Sequence, residues 1–391
     1  TRGTSWNYIS PFGRKRVPEY TYSGSDNSLM YIYFCSPLAE LLVKFIPGWL
    51  APNVITLLGL ALSLAGYFLV HFHTPKFNEP CSSWVWFVLA FCTFAYQTLD
   101  NIDGKQARRT NTSSALGLFV DHGVDALNIV LSSQNVMALL QLGSRETAWA
   151  CLAVWSATST PFFFATWEEH FTGSLYLGPF NGPTDGVLIV CISYVITGLA
   201  DDPTHLWNAG FGLGMSRAEA MISFYGMCVL FTVFGNIYSV HKELRLRNSQ
   251  RFRQPWNSIL ATCHAMSLVV PFCLHLSIGY CIIGPHSTDL RTSFWFLGFS
   301  FLMLVSHLQL SNVCAEIYKP WRWILFVVVC LLIDSFCQFK PKLLIGTCLL
   351  GFTWLHFVIG VANEMADILQ IPIFKVPQSK EKDHASINEL N

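Results

Sequence analysis

Four aspartates fall within one stretch, LDNIDGKQARRTNTSSALGLFVDHGVD (Leu99–Asp125). Asp100 and Asp103 are three apart, and Asp121 and Asp125 are four apart. Either spacing places both carboxylates of a pair on one face of a helix. Carboxylates gathered this way suit hard divalent cations. Mg²⁺ typically takes a few carboxylates plus substrate phosphate oxygens. Two such ions about 3.5–4 Å apart can clamp the attacking and leaving oxygens of a phosphoryl transfer. Gly104, Ala107 and Arg108 lie between the pairs, and the planar fork of Arg108 matches a phosphate bidentately. Gly117 precedes Asp121 by four residues and shares its face, where a missing side chain lets a ligand or a backbone come close.

The surroundings make these carboxylates conspicuous. The chain has 391 residues, 52% hydrophobic, 15% aromatic and only 12% charged, with a mean hydropathy of +0.42. That composition points to an integral membrane protein. A carboxylate inside a membrane helix costs about 2.5–3.5 kcal/mol. Asp100 and Asp103 are also expected at a helix C-terminus, where the dipole repels anions, and four converging carboxylates repel one another. Divalent cations remove all three penalties together. The formal net charge of zero gives no argument for nucleic-acid binding. The 13 cysteines include no C-x-x-C pair and lie mostly in apolar runs, as small buried hydrophobes do. The first 25 residues lack an apolar core of signal-peptide type.

Ten segments approach the length of a membrane-spanning helix, near 54–73, 84–99, 117–142, 147–166, 185–200, 219–240, 257–283, 293–315, 321–338 and 343–367. With both ends cytosolic, eighteen of the 24 Lys and Arg fall in cytosolic segments and six on the far side. That asymmetry follows the positive-inside rule. Lys105 and Arg109 suit either ordinary positive-inside charges or substrate contacts. Before the first span, LMYIYFCSPLAELLVKFIPGWLAPN reads as an amphipathic helix lying in the interface. Asn53 is expected to cap the first span. The predicted fold is therefore all-α and membrane-integral, with about ten spans. Residues 1–50 form a cytosolic N-terminal segment with the interfacial helix, 51–376 the transmembrane domain, and 377–391 a disordered polar tail.

The pattern Asp100-x2-Asp103-Gly104-x2-Ala107-Arg108-x8-Gly117-x3-Asp121-x3-Asp125 resembles the signature of the CDP-alcohol phosphotransferases. DGKQARRTN, DHG, TWEEHFTGSLYLGPFNGPTDG (166–186) and VANEMADILQIPIFKV (361–376) resemble the eukaryotic choline and ethanolamine phosphotransferases, and APNVIT (51–56) resembles the family's Pro-Asn entry to its first core helix. The resemblance implies transfer of the phospho-head group of CDP-choline or CDP-ethanolamine to diacylglycerol, releasing CMP. It implies two Mg²⁺ or Mn²⁺ ions, a multi-pass homodimer in the endoplasmic reticulum or Golgi, and an active site facing the cytosol. By position, Asp100, Asp103, Asp121 and Asp125 would hold the metals, and Asn53, Gly104, Ala107, Arg108 and Gly117 would line the CDP site. The diacylglycerol hydroxyl needs a base within hydrogen-bond reach. His122 and Asp125 are the two candidates, an ordinary histidine titrating near neutrality. One position departs from the family pattern: Leu118 stands where eukaryotic relatives keep a glutamate. For the head group, the loop expected around Trp167, Glu168, Glu169, Tyr176 and Asp185 offers both aromatic faces and acceptors, with Glu168 and Glu169 expected on a solvated face. Three alternatives are a family member with another acceptor or head group, an ion-coupled transporter, and a catalytically silent homologue, to which Leu118 is the pointer. The transporter would show broken helices and related halves.

Overall fold

The computed structural model describes residues 7–319 and 342–377, except 145, 180, 213, 253–255 and 284–288. The predicted ninth span (321–338) and nearly all of the polar tail lie outside the described residues. A short helix, α1 (Pro11–Arg16), is followed by a strand, β1 (Gly24–Asp26). A π-helical turn at Tyr31–Cys35 leads into α2 (Ser36–Leu42), which ends in a tight turn at Val43–Phe45. Pro37 directly follows that π-helical turn, and the helical run continues through it into α2. This helical segment leaves Ile32, Tyr33, Phe34, Leu41 and Phe45 exposed, as an interfacial helix does.

The long helices are α3 (Pro52–His73), α4 (Ser83–Arg109), α5 (Ala115–Leu139), α6 (Ala148–Thr172), α7 (Val187–Leu199) and α8 (Arg217–Phe252). They continue as α9 (Trp256–Ser267), α10 (Val270–Ile283), α11 (Leu290–Val313) and α12 (Lys342–Leu369). Among the described residues, seven helical stretches are long and apolar enough to cross a membrane. The chain is an all-α integral membrane protein. α4 and α6 match the others in length but fall outside those seven. Both carry buried polar residues, including Gln97, Asp103 and Gln106 on α4 and Glu168 and Glu169 on α6.

Two sequence expectations are corrected here. The seventh span, expected as one helix, is two, broken at Leu268 and Val269. Pro271 causes the break, because it lacks an N–H and its ring meets the carbonyl one turn back. α4 runs ten residues beyond its expected end, so Asp103 lies six residues before the terminus and the dipole argument for Asp100 and Asp103 does not apply.

Helices α3, α4 and α5 pack on one another around the aspartate stretch. The α3–α4 seam is narrow because Gly59, Ser63 and Gly66 line it at helical spacing. A β-carbon at Gly59 would stand 3.3 Å from the Tyr96 ring, and one at Gly66 3.0 Å from Leu89. The larger apolar core sits between α5, α6, α10 and α11, where Phe163 stacks on Phe272 at 4.3 Å and Trp155 is fully buried. Strand β1 pairs in parallel with β2 (Leu175–Leu177), which follows α6. The N-terminal segment is thereby tied across the end of the bundle that holds the aspartates.

Candidate active site

Asp100 and Asp103 ride on α4, and Asp121, His122 and Asp125 on the first turns of α5. Ser114 starts α5 by accepting the Gly117 N–H at 3.2 Å, which sets the rotation of the helix that presents Asp121 and Asp125. Ligand atoms of Asp121, His122 and Asp125 all lie within 4.8 Å of one another. Asp100 and Asp103 stand just outside that tight trio. The carboxyl of Asp100 faces those of Asp125, Asp121 and Asp103, and Asp121 faces Asp103 and Asp125. All four expected carboxylates therefore converge between α4 and α5.

Their partners are few. Asp103, only 4% exposed, accepts from the Thr56 hydroxyl on α3. Asp125 accepts from the Tyr96 hydroxyl at 2.5 Å. Asp121 Oδ1 is buried with no hydrogen-bond partner among the described residues. Among the described residues, none of the four makes an ion pair with Lys, Arg or His. Four clustered acids that make no ion pair among the described residues, one with an orphaned oxygen, fit a site built for divalent cations.

The remaining expected residues ring this cluster. Gly104 and Gly117 open onto free space. A β-carbon on the first would meet only Arg108 at 3.7 Å, and on the second only Ser114 at 3.6 Å and Asn53 at 3.8 Å. Arg108 is exposed and lies in the electrostatic reach of Asp103. Ala107, one helical turn on from Asp103, is half-buried. Asn53 does not cap α3. Ala51 holds that position, and Asn53 lies within the first turn, donating to the Ile373 carbonyl at 2.9 Å. Its other amide atom faces Gly117.

The two basic neighbours of Arg108 are committed elsewhere. Lys105 donates to Ser36 at 2.9 Å and pairs with Glu40 at 3.2 Å. Arg109 donates to the carbonyls of Val43 and Ile46 at 2.6 and 2.7 Å. Both hold the segment from Ser36 to Ile46 against α4, so of the three basic residues only Arg108 faces the aspartates.

His122 is 8% exposed and meets the Tyr22 ring edge-on at 6.3 Å. Its imidazole has no hydrogen-bond partner among the described residues. Leu118 does not leave a polar gap where a glutamate was expected. It packs against an apolar cluster that includes Ile9, Val17, Val361 and Met365.

Glu168 and Glu169 contradict the expectation of a solvated loop. They lie in the last turns of α6 at 3% and 2% exposure. Glu168 accepts from Asn236, and Glu169 from the Tyr20 hydroxyl at 3.3 Å. Trp167 is likewise buried and donates to the Ala265 carbonyl, whereas Tyr176 is exposed on β2. Asp185 accepts the Asn181 N–H at 3.0 Å.

Sequence reasoning overlooked Thr56, Tyr96, Tyr20 and Tyr22. Tyr96 carried a signal, since it precedes Asp100 by one helical turn. Thr56→Val removes the donor to Asp103 while keeping its shape. Loss of such a supporting contact typically costs about 10–100-fold in metal affinity or activity. Metal titration of the purified variant is expected to show that weakening with folding intact.

The family model for CDP-alcohol phosphatidyltransferases matches residues 49–199, which include all four aspartates. The chain is 30% identical over 384 residues to "Uncharacterized CDP-alcohol phosphatidyltransferase class-I family protein 2" of Dictyostelium discoideum, covering 95% of this chain and 88% of that one. It is 30% identical over 408 residues to choline/ethanolaminephosphotransferase 2 of Arabidopsis thaliana, covering 95% and 99%. With choline/ethanolaminephosphotransferase 1 of Saccharomyces cerevisiae it shares 37% over 185 residues, covering 47% and 46%.

Proposed function

This chain belongs to the CDP-alcohol phosphatidyltransferase family, and from that premise we propose that it transfers phosphocholine or phosphoethanolamine from the CDP-alcohol to diacylglycerol. The observation that supports this most is the convergence of Asp100, Asp103, Asp121 and Asp125 with no ion pair to any of them among the described residues, and with one buried oxygen lacking a hydrogen-bond partner there.

In this reading the four aspartates hold two Mg²⁺ or Mn²⁺ ions. When bound, the ions neutralise the pyrophosphate and the charge that builds up on the oxygens of the transferred group. Arg108 grips a phosphate through its guanidinium, and Gly104, Ala107, Gly117 and Asn53 leave room for CDP to approach the backbone of α4 and α5. The diacylglycerol hydroxyl oxygen bonds to the phosphorus that carries the head group. The bond from that phosphorus to the CMP oxygen breaks, and CMP leaves. His122 takes the hydroxyl proton. Among the described residues its imidazole makes no other hydrogen bond, whereas Asp125 already accepts from Tyr96. Thr56 and Tyr96 hold Asp103 and Asp125 in place.

In this reading the N-terminal helical segment lies in the interface and the site opens at the membrane surface, where a lipid hydroxyl and a water-soluble nucleotide can meet. With positive segments inside, that surface is cytosolic. The proposed setting is a homodimer in the endoplasmic reticulum or Golgi. Transport is a poorer reading, because the one broken membrane helix among the described residues, at Leu268 and Val269, carries no carboxylate at its break. The test is purified protein in lipid nanodiscs with diacylglycerol, Mg²⁺ and radiolabelled CDP-choline or CDP-ethanolamine. Labelled phospholipid with equimolar CMP is expected. No product from either donor overturns the reading.

A further inference from the structure

Glu169 is a buried acid with no counter-charge in reach. At 2% exposure it has a single weak hydrogen bond, from Tyr20, and no ion pair among the described residues. Its neighbour Glu168 is satisfied by Asn236 and Ser239, so burial on α6 does not by itself leave a carboxylate wanting. A buried carboxylate is stable only when paired or protonated.

The residues around it are aromatic and reach the aspartates. Tyr22 has Glu169, Asp121 and Asp125 as electrostatic neighbours, with Tyr31 also close, and its ring abuts His122. Tyr22 is half-exposed, and partial burial beside these carboxylates pushes its phenol up. Tyr20 and Tyr22 are carried by a strap with both flanks pinned. Upstream, Arg14 pairs with the buried Glu364, which also accepts the Tyr8 N–H at 2.8 Å. Downstream, β1 pairs with β2, and Asp26 accepts from Asn181 at 3.0 Å and Thr184 at 2.6 Å. The strap runs beside the carboxylate cluster and holds Tyr22 between it and Glu169, with Tyr20 donating to Glu169.

One carboxylate with aromatic faces is poor in oxygens for a divalent cation, which wants six or more. It suits an organic ammonium, which takes one counter-charge and the negative faces of rings. We propose that Glu169, Tyr20 and Tyr22 form the subsite for the alkylammonium end of the CDP-alcohol, with Tyr22 as the wall between that end and His122. This rests on the proposed function and names how its donor is recognised. A choline or ethanolamine nitrogen supplies the positive charge that Glu169 lacks, and the same contact orients the phosphorus toward the aspartates.

The experiment compares kcat/KM for CDP-choline with that for its uncharged isostere, the CDP ester of 3,3-dimethylbutanol, in the full-length protein. The wild type is expected to prefer the cation by about tenfold or more. Glu169→Gln collapses the preference toward unity, mostly through KM of the cationic donor, and Glu169→Asp retains part of it. Glu168→Gln keeps the wild-type ratio. Tyr22→Leu provides a second reading of the ratio should Glu169→Gln fail to fold, and is expected to lower it. An unchanged ratio in Glu169→Gln, or an equal loss on both donors, overturns the subsite and leaves the function standing. No lipid from any donor with the wild type contradicts the function and the subsite together.

Discussion

Asp121→Asn abolishes transfer while leaving the protein folded. Asp121 lies in the tight trio with His122 and Asp125, faces Asp103, and has one oxygen buried without a partner. An amide keeps the shape but loses the charge that a divalent cation needs. A metal's stabilisation of phosphoryl charge is worth several kcal/mol, so kcat/KM falls by about 1,000-fold or more. Stability moves the other way. In metal-free protein the substitution removes one of four mutually repelling acids, so the thermal midpoint is expected to hold or rise. Activity and unfolding measured on one preparation separate loss of chemistry from loss of fold. A variant that is both inactive and destabilised would indicate that Asp121 is part of the structural framework.

Chelation carries the second large effect. EDTA is expected to bring the wild type to about 1% of its activity or less, with Mg²⁺ or Mn²⁺ restoring it. The ion also binds only the folded state, because the unfolded chain separates α4 from α5. At 100 times its dissociation constant a ligand stabilises by about 2.7 kcal/mol, so restoring the ion raises the thermal midpoint of the wild type. Asp121→Asn is expected to show little of that rise. A midpoint indifferent to Mg²⁺ and Mn²⁺ in the wild type, with activity that survives EDTA, would contradict a metal site.

What the sequence reveals here follows from how far apart the interacting residues lie. Asp100, Asp103, Asp121 and Asp125 were legible because each pair is set by helical spacing and stands out against apolar neighbours. The helical segment before the first span was legible as a run of apolar residues too short and too interrupted by charge to cross a membrane. The break before Pro271 was also local, yet composition alone made that segment one long apolar run. The contacts of Thr56 with Asp103 and of Tyr20 with Glu169 bridge 47 and 149 residues. No periodicity encodes such pairings. Glu168 and Glu169 were misplaced because two adjacent acids after an apolar run look like the start of a loop. Burial of both depends on Asn236 from α8 and Tyr20 from the strap. Lys105 and Arg109 likewise looked available for substrate until Ser36, Glu40 and the carbonyls of Val43 and Ile46 were found holding them.

The most direct test of the central claim is an anomalous difference map at the manganese edge. The crystals would be grown in lipid with Mn²⁺ and CDP-choline. The expected result is two peaks between α4 and α5, ligated by Asp100, Asp103, Asp121 and Asp125, with pyrophosphate oxygens completing their shells. A map with no peak there, and the four carboxylates turned to separate protein partners, would contradict the account.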